Sequence, residues 1–279
     1  MQSMSCDGEV SPNESAPFDL VNPGGDPEFL IVCDHASNAL PAGYGTLGLP
    51  EAEFERHIAY DIGAGEVSRL LAAHLDAPAV LACYSRLLID LNRGADDPTL
   101  VMKLSDGAIV PANRDVDPIH DTVEFEHRLL HFYLPYHEAI SAAIARARGR
   151  GVQPVIVSIH SFTPSWRGAA RPWHAGILWD RDDRLPLMLL DALRMEPGLV
   201  VGDNEPYSGR LKGDCLYKHG TMNGLAHALV EIRQDLICDE AGQREWAARL
   251  AAVLRDARRD PDLGVIRHYG SHTDGKKRL

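Results

Sequence analysis

Short apolar runs alternate with amphipathic stretches along most of the chain. Runs rich in β-branched residues predict buried strands at residues 29–33, 79–84, 87–91, 155–159, 175–179, 199–201 and 227–232. Amphipathic patterns and capping residues predict helices over residues 51–75, 122–148, 185–194 and 244–258, the second kinked at Pro135. Strands that alternate with helices are typical of an α/β fold, here a three-layer α/β/α sandwich.

Residues 18–270 are predicted to form one catalytic domain, because neither an internal repeat nor a break in composition divides them. Residues 1–17 are polar and aperiodic, which predicts a flexible lead-in, and residues 271–279 are predicted to be a loose tail. The sequence contains neither Gly-x-Gly-x-x-Gly nor a Gly-Lys-Ser/Thr loop. The pattern therefore does not favour a nucleotide-binding fold.

The charge of the chain limits the classes of partner that it is expected to bind. The formal net charge is −12 and the pI is about 5.5, which disfavours nucleic acid and anionic membrane surfaces. The five cysteines are scattered and lack CxxC spacing, as is typical of a reduced, cytoplasmic protein. No apolar stretch has transmembrane length, and the N-terminus lacks a signal-peptide layout. We expect a monomer or a small homo-oligomer.

Three polar residues lie where predicted strands end. His35 follows the strand at 29–33, His160 ends the strand at 155–159, and Glu231 lies in the apolar strand at 227–232. Two histidines and one oxygen ligand, with an open position for water, form a catalytic zinc site. A nearby carboxylate that is not a ligand can then take a proton from the water. Glu231 is the candidate for this base; a structural ion pair with Arg233 or with another arginine is the alternative.

Seven short motifs occur in series between residues 29 and 237. They read CDHASNALP, YDIGA, SRLLIDLNR, PANR, SIHSF, DNEPY and ALVEIRQDL. Three of them, around SIHSF, DLNR and EIR, resemble signatures of zinc carboxypeptidases and of the aspartoacylase and succinylglutamate desuccinylase group. The whole series more closely resembles the N-formylglutamate amidohydrolase family.

This resemblance implies a fold like that of zinc-dependent exopeptidases (phosphorylase/hydrolase-like), built on a mixed sheet. It implies one zinc ion per chain and hydrolysis of a small anionic N-acyl amino acid, such as N-formylglutamate, in amino-acid catabolism. His35 and His160 match metal ligands, and Glu231 matches the general base. Asn92 and Arg93 match the groups that hold the substrate carboxylate, a task that suits the planar arginine fork.

The third metal ligand is left open by the sequence. In the carboxypeptidase pattern a glutamate follows the first histidine by three positions, but Asn38 occupies that position here. A neutral amide oxygen is a poor zinc ligand, so Asp61 of the YDIGA motif is the favoured alternative. Asp34 is a weaker option, because it neighbours His35 and should point to the other face of the strand.

Further residues of these motifs are candidates for substrate binding. Arg86 and Arg114 are candidates for holding a second carboxylate, with surface salt bridges as the alternative. Asn204 and Tyr207 are expected to line the pocket, and Tyr207 has a hydroxyl suited to the developing oxyanion. His219, in a glycine-flanked loop, is a weaker pocket candidate. Two other functions stay open: a carboxypeptidase-like hydrolase of short peptides or cell-wall amides, and a non-catalytic binding protein.

Overall fold

A mixed seven-stranded sheet forms the centre of the computed structural model, which describes residues 16–275. The strands are β1 (Phe18–Val21), β2 (Phe29–Cys33), β3 (Ala79–Ala82), β4 (Val155–Phe162), β5 (Ala175–Leu178), β6 (Val201–Asp203) and β7 (His227–Arg233). They lie in the order β1-β3-β2-β4-β7-β5-β6. The β1–β3 and β5–β7 pairs are antiparallel, and the other neighbours are parallel. The α/β fold with a mixed sheet is therefore confirmed.

Helices cover both faces of this sheet. They are α1 (Ala64–Leu75), α2 (Thr122–Arg128), α3 (Leu134–Gly149), α4 (Arg184–Arg194), α5 (Cys215–His219) and α6 (Glu240–Ala257). Alternate side chains of β2 enter different cores, as the period of two in a strand requires. Phe29 and Ile31 pack in the cluster that contains residues of α1, α4 and α6, whereas Leu30 and Val32 pack in the cluster that contains residues of α3.

Two predicted elements differ in the structure. The helix predicted over residues 51–75 is divided into a 3-10 turn, Glu51–Glu55, and α1. Gly63 separates them because its φ of +78° is in the left-handed region, and a Cβ there would approach Ile237 O to 2.2 Å. The strand predicted at 87–91 is a series of turns, in which Leu88 N donates to Ser85 O over 3.0 Å. Its apolar side chains are buried without joining the sheet.

The long helix predicted over residues 122–148 is interrupted before Pro135. The π-helical turn Leu129–Tyr133 connects α2 to α3. Asp121 is the N-cap of α2, and its carboxylate accepts a hydrogen bond from Glu124 N.

Most of the predicted lead-in, residues 1–15, and the end of the predicted tail, residues 276–279, lie outside the described residues. The described start of the tail contacts the domain. Ser271 is buried, and His272 N donates to Asp180 Oδ2 over 3.1 Å. Within residues 16–275, the structure contains no helix with the length and apolarity needed to cross a membrane.

Candidate active site

The candidate site lies where the three central strands β2, β4 and β7 carry polar residues. His35 follows the end of β2 by two positions. His160 lies within β4, which continues to Phe162 rather than ending at the histidine as predicted. Glu231 is the register partner of His160 across the parallel β4–β7 pair. Adjacent strands therefore place these residues beside one another.

Asp61 joins the two histidines into a compact group, the His-Asp-His cluster (His35, Asp61 and His160). Asp61 Oδ2 is 2.7 Å from His160 Nδ1 and 3.4 Å from His35 Nδ1. One potential ligand atom from each residue lies within 4.8 Å of the others, and all three residues are buried. The turn before α1 brings Asp61 here, because Asp61 N donates to His35 O over 2.9 Å.

The outward nitrogens of both histidines contact further carboxylates. His35 Nε2 is 2.8 Å from Asp90 Oδ1, and His160 Nε2 is 3.2 Å from Asp34 Oδ2. Burial opposes the ionisation of Asp34, but the hydrogen bond and charge of His160 outweigh it and hold the Asp34 pKa well below its usual value. Both rings therefore have one nitrogen fixed by a carboxylate and the other directed at Asp61.

The surroundings of His160 favour its cationic form. Burial alone would lower the pKa of the imidazole, but hydrogen bonds to Asp34 and Asp61 outweigh burial and raise the pKa to about 10.

Glu231 faces this cluster as a buried carboxylate. Its relative exposure is 7%, and its Oε2 atom has no hydrogen-bond partner among the described residues. Burial raises the pKa of Glu231 to about 7, although the neighbouring His160 charge acts in the opposite direction. A buried carboxylate oxygen without a partner is costly, which suggests that it is kept for a functional reason. The predicted ion pair with Arg233 is not formed, because Arg233 pairs with Asp235.

A cavity of about 420 Å³ opens onto the cluster. Its walls include the His-Asp-His cluster, Glu231 and four predicted substrate-binding residues, namely Arg86, Asn92, Arg93 and Tyr207. The volume is within the range of small-molecule sites. The Arg171 guanidinium lies over the Tyr207 ring, 5.0 Å from its centre. This cation–π contact holds Tyr207 at the cavity wall.

Three polar residues of the cavity wall are held by contacts within the segment from Arg86 to Arg93. Asn92 N donates to Asp90 Oδ1 over 3.0 Å, and Arg93 Nη1 donates to Asn92 O over 3.0 Å. Arg86 Nη2 donates to Asp90 Oδ2 over 2.7 Å, and Arg86 Nη1 lies 3.6 Å from Asp61 Oδ1. The Arg86 guanidinium is therefore engaged with the two carboxylates that support the cluster.

Two sequence candidates lie away from the cavity. Asn38 does not line it, and its Nδ2 donates to Phe54 O over 3.0 Å. Arg114 has a side-chain exposure of 79% and pairs with Asp115. The structure therefore does not bring Asn38 or Arg114 to the cavity wall. Both residues lie in irregular loops, whose directions the strand pattern does not determine.

Asn204 and His219 are also placed behind the cavity wall rather than on it. Asn204 Oδ1 accepts hydrogen bonds from Trp179 N and Gly209 N, over 3.1 and 2.9 Å, so this side chain supports the loop that carries Tyr207. His219 Nε2 is 2.9 Å from His137 Nδ1 in a separate buried group.

Sequence reasoning missed the roles of Asp34 and Asp90. Asp90 lies in the DLNR motif, and Asp34 was considered only as a weak metal ligand. Asp34 instead contacts His160 on the neighbouring strand, with its Oδ2 atom 3.2 Å from Nε2. A carboxylate next to a candidate ligand histidine at a strand end was the available signal. His57, which also lines the cavity, had no such signal.

The chemistry of the cluster fits a zinc ion. Two imidazole nitrogens and one carboxylate oxygen converge, as in catalytic zinc sites that keep a further position open. Each histidine has a carboxylate on its other nitrogen, the usual outer partner of a metal-bound imidazole. His35, His160 and Asp61 would hold the ion, and Glu231 lies beside them with a vacant oxygen.

The comparisons with known proteins agree with the motif series. The profile of the N-formylglutamate amidohydrolase family matches residues 28–238. An N-formylglutamate deformylase from Pseudomonas aeruginosa is 27% identical over 205 residues, which cover 66% of this chain and 73% of the relative.

Two solved structures share the fold. A gene product from Agrobacterium tumefaciens matches with a TM-score of 0.82 and 35% identity, over 87% of this chain and 95% of the other. An N-formylglutamate amidohydrolase from Ralstonia eutropha matches with a TM-score of 0.62 and 24% identity, over 87% of this chain and 97% of the other. The chain therefore belongs to the N-formylglutamate amidohydrolase family and is a hydrolase of linear amide C–N bonds.

Proposed function

We propose that this protein is a zinc-dependent deformylase that removes the formyl group, or a similarly small acyl group, from an anionic amino acid such as N-formylglutamate. The observation that carries the proposal is the unpartnered Glu231 Oε2 beside the His-Asp-His cluster, at the wall of a cavity that also contains Arg93. The named activity of the Pseudomonas aeruginosa relative supports the choice of acyl group.

The residues of the cavity divide the work of amide hydrolysis. When bound, a zinc ion supplies Lewis-acid activation of water and of the acyl oxygen. Glu231 takes the proton of the attacking water at Oε2 and passes it to the leaving nitrogen as the C–N bond breaks, which yields formate and the free amino acid. A pKa of about 7 suits a group that must both accept and release a proton near neutral pH.

The opposite wall anchors the substrate. The Arg93 guanidinium lines the cavity and matches the planar geometry of an α-carboxylate. Asn92 Oδ1 already accepts Cys215 N over 3.1 Å, so the Asn92 side chain offers its N–H groups to an anion. These residues fix the substrate so that its amide carbon faces the cluster and Glu231.

The test is an activity assay of zinc-loaded protein on N-formyl, N-acetyl and N-succinyl amino acids and on short peptides. We expect the highest kcat/KM on an N-formyl acidic amino acid, and a loss of about 10²-fold or more in Glu231→Gln. Glu126→Gln, an exposed position on α2, is the matched control and should keep full activity. Turnover of peptides alone, or near wild-type turnover by Glu231→Gln, would contradict the proposal.

A further inference from the structure

A second buried group of potential metal ligands lies behind the turn that carries Asn92 and Arg93. It consists of His137 on α3 with Cys215 and His219 on α5, and one ligand atom from each lies within 4.8 Å of the others. By donor type alone this set would suit zinc. However, Lys218 contacts this group, and its contacts favour a hydrogen-bond network over a metal site.

Lys218 Nζ lies 3.4 Å from His137 Nε2. An ammonium group can only donate, so this contact favours Nε2 of His137 as the acceptor and Nδ1 as the protonated nitrogen. That proton faces His219 Nε2 at 2.9 Å. The Lys218 ammonium lies beside the ring, and its positive charge disfavours a second cation at this group. This arrangement is a hydrogen-bond network.

The network ends on the backbone of Arg93. Lys218 Nζ donates to Arg93 O over 2.9 Å, and Tyr133 OH donates to the same oxygen over 2.6 Å. Lys218 Nζ also contacts Tyr133 OH. The three N–H groups of the ammonium thus have three acceptors: a carbonyl, a hydroxyl and an imidazole. Such a lysine has one fixed position despite its flexible stem.

We propose that Lys218 is a positioning residue, which sets the affinity of the cavity for the substrate α-carboxylate by holding the carbonyl of Arg93. The inference rests on the proposed function, in which Arg93 binds that carboxylate. Lys218 is not among the cavity-lining residues, so its effect passes through the turn. The start of α5 holds the same turn, because Cys215 N donates to Asn92 Oδ1.

The experiment compares Lys218→Met with wild type on two substrates: the N-formyl amino acid that wild type hydrolyses, and its α-carboxamide. Loss of charged hydrogen bonds to one carbonyl should raise KM for the acid about tenfold. We expect kcat to stay within about twofold and KM for the carboxamide to be unchanged. Equal losses on both substrates, a loss in kcat alone, or no change would overturn the proposal.

Three further variants keep the test decisive. Lys103→Met is the matched control, because Lys103 pairs with Asp117 at the surface and should leave both KM values unchanged. Tyr133→Phe removes the other donor to Arg93 O and should also raise KM for the acid. This variant carries the test if Lys218→Met does not fold. A drop from two zinc equivalents to one in Cys215→Ser would identify a second metal site and overturn the hydrogen-bond network.

A failure of the proposed function can be distinguished from a failure of the proposal for Lys218. If wild type hydrolyses no substrate of the panel, the deformylase proposal is refuted, and a crystal structure of Lys218→Met decides the role of the lysine. Displacement of residues 92–94 with the His-Asp-His cluster unchanged would support it. An unmoved turn would overturn it.

Discussion

The substitution Asp61→Asn should remove most of the zinc affinity of this protein. Asp61 Oδ2 lies 2.7 Å from His160 Nδ1 and 3.4 Å from His35 Nδ1, so its carboxylate is the anionic member of the proposed ligand set. Loss of an outer partner of a metal ligand typically costs 10- to 100-fold in affinity. Loss of a ligand should therefore cost at least about 100-fold, or about 2.7 kcal/mol of binding free energy.

The assay is competition with a chromophoric chelator at fixed pH, with the bound zinc counted after dialysis. Asn38→Ala is the matched control, because Asn38 contacts Phe54 O and does not line the cavity. It should keep one zinc ion per chain with wild-type affinity. Circular dichroism spectra establish that both variants fold. Wild-type zinc affinity in Asp61→Asn would refute this reasoning. Loss of the metal in Asn38→Ala would identify Asn38 as the ligand instead.

Three other substitutions test the surroundings of the cluster. Asp34→Asn should weaken zinc binding 10- to 100-fold, measured by the same competition, because it leaves His160 Nε2 without its carboxylate partner. Arg114→Ala should change KM by less than about twofold, since the side chain is exposed and pairs with Asp115. Glu231→Gln should stabilise the metal-free protein against urea at pH 8 but not at pH 4.5. The folded-state pKa of Glu231 is raised from 4.5 to about 7, so the destabilisation by this carboxyl group grows as the pH rises through that range and is complete above it.

The site residues that lie on or next to strands could be predicted from the strand pattern. The predicted strands placed His35, His160 and Glu231 near strand ends, and adjacent strands of the sheet then bring them together. These central strands are buried on both faces, so each appears in the sequence as a nearly continuous apolar run. Asp61 was favoured over Asn38 on chemical grounds, and the structure places Asp61 between the two histidines.

Loop residues were not predictable in the same way. Arg114 and Asn204 lie in motifs that match the family, yet the first points to solvent and the second supports a loop from behind. A motif indicates that a residue type is present, but the direction of a loop side chain depends on tertiary contacts. The turn at Gly63 shows the same limit, because a left-handed residue in an apparently helical pattern moved Asp61 out of a helix and into the cluster.

The charges around the cluster would allow an acidic protein to bind both the proposed metal ion and an anionic substrate. Asp34, Asp61 and Asp90 are buried carboxylates with pKa values held low, and Arg86 contacts two of them. Burying net negative charge is costly, and in the metal-free protein this charge keeps His160 protonated with a pKa of about 10. A divalent cation at His160 Nδ1 would take the place of that proton, so cation and proton compete for one nitrogen. Arg86 and the two histidines offset the charge of these carboxylates. The Arg93 guanidinium, which also lines the cavity, is then available to the anionic substrate.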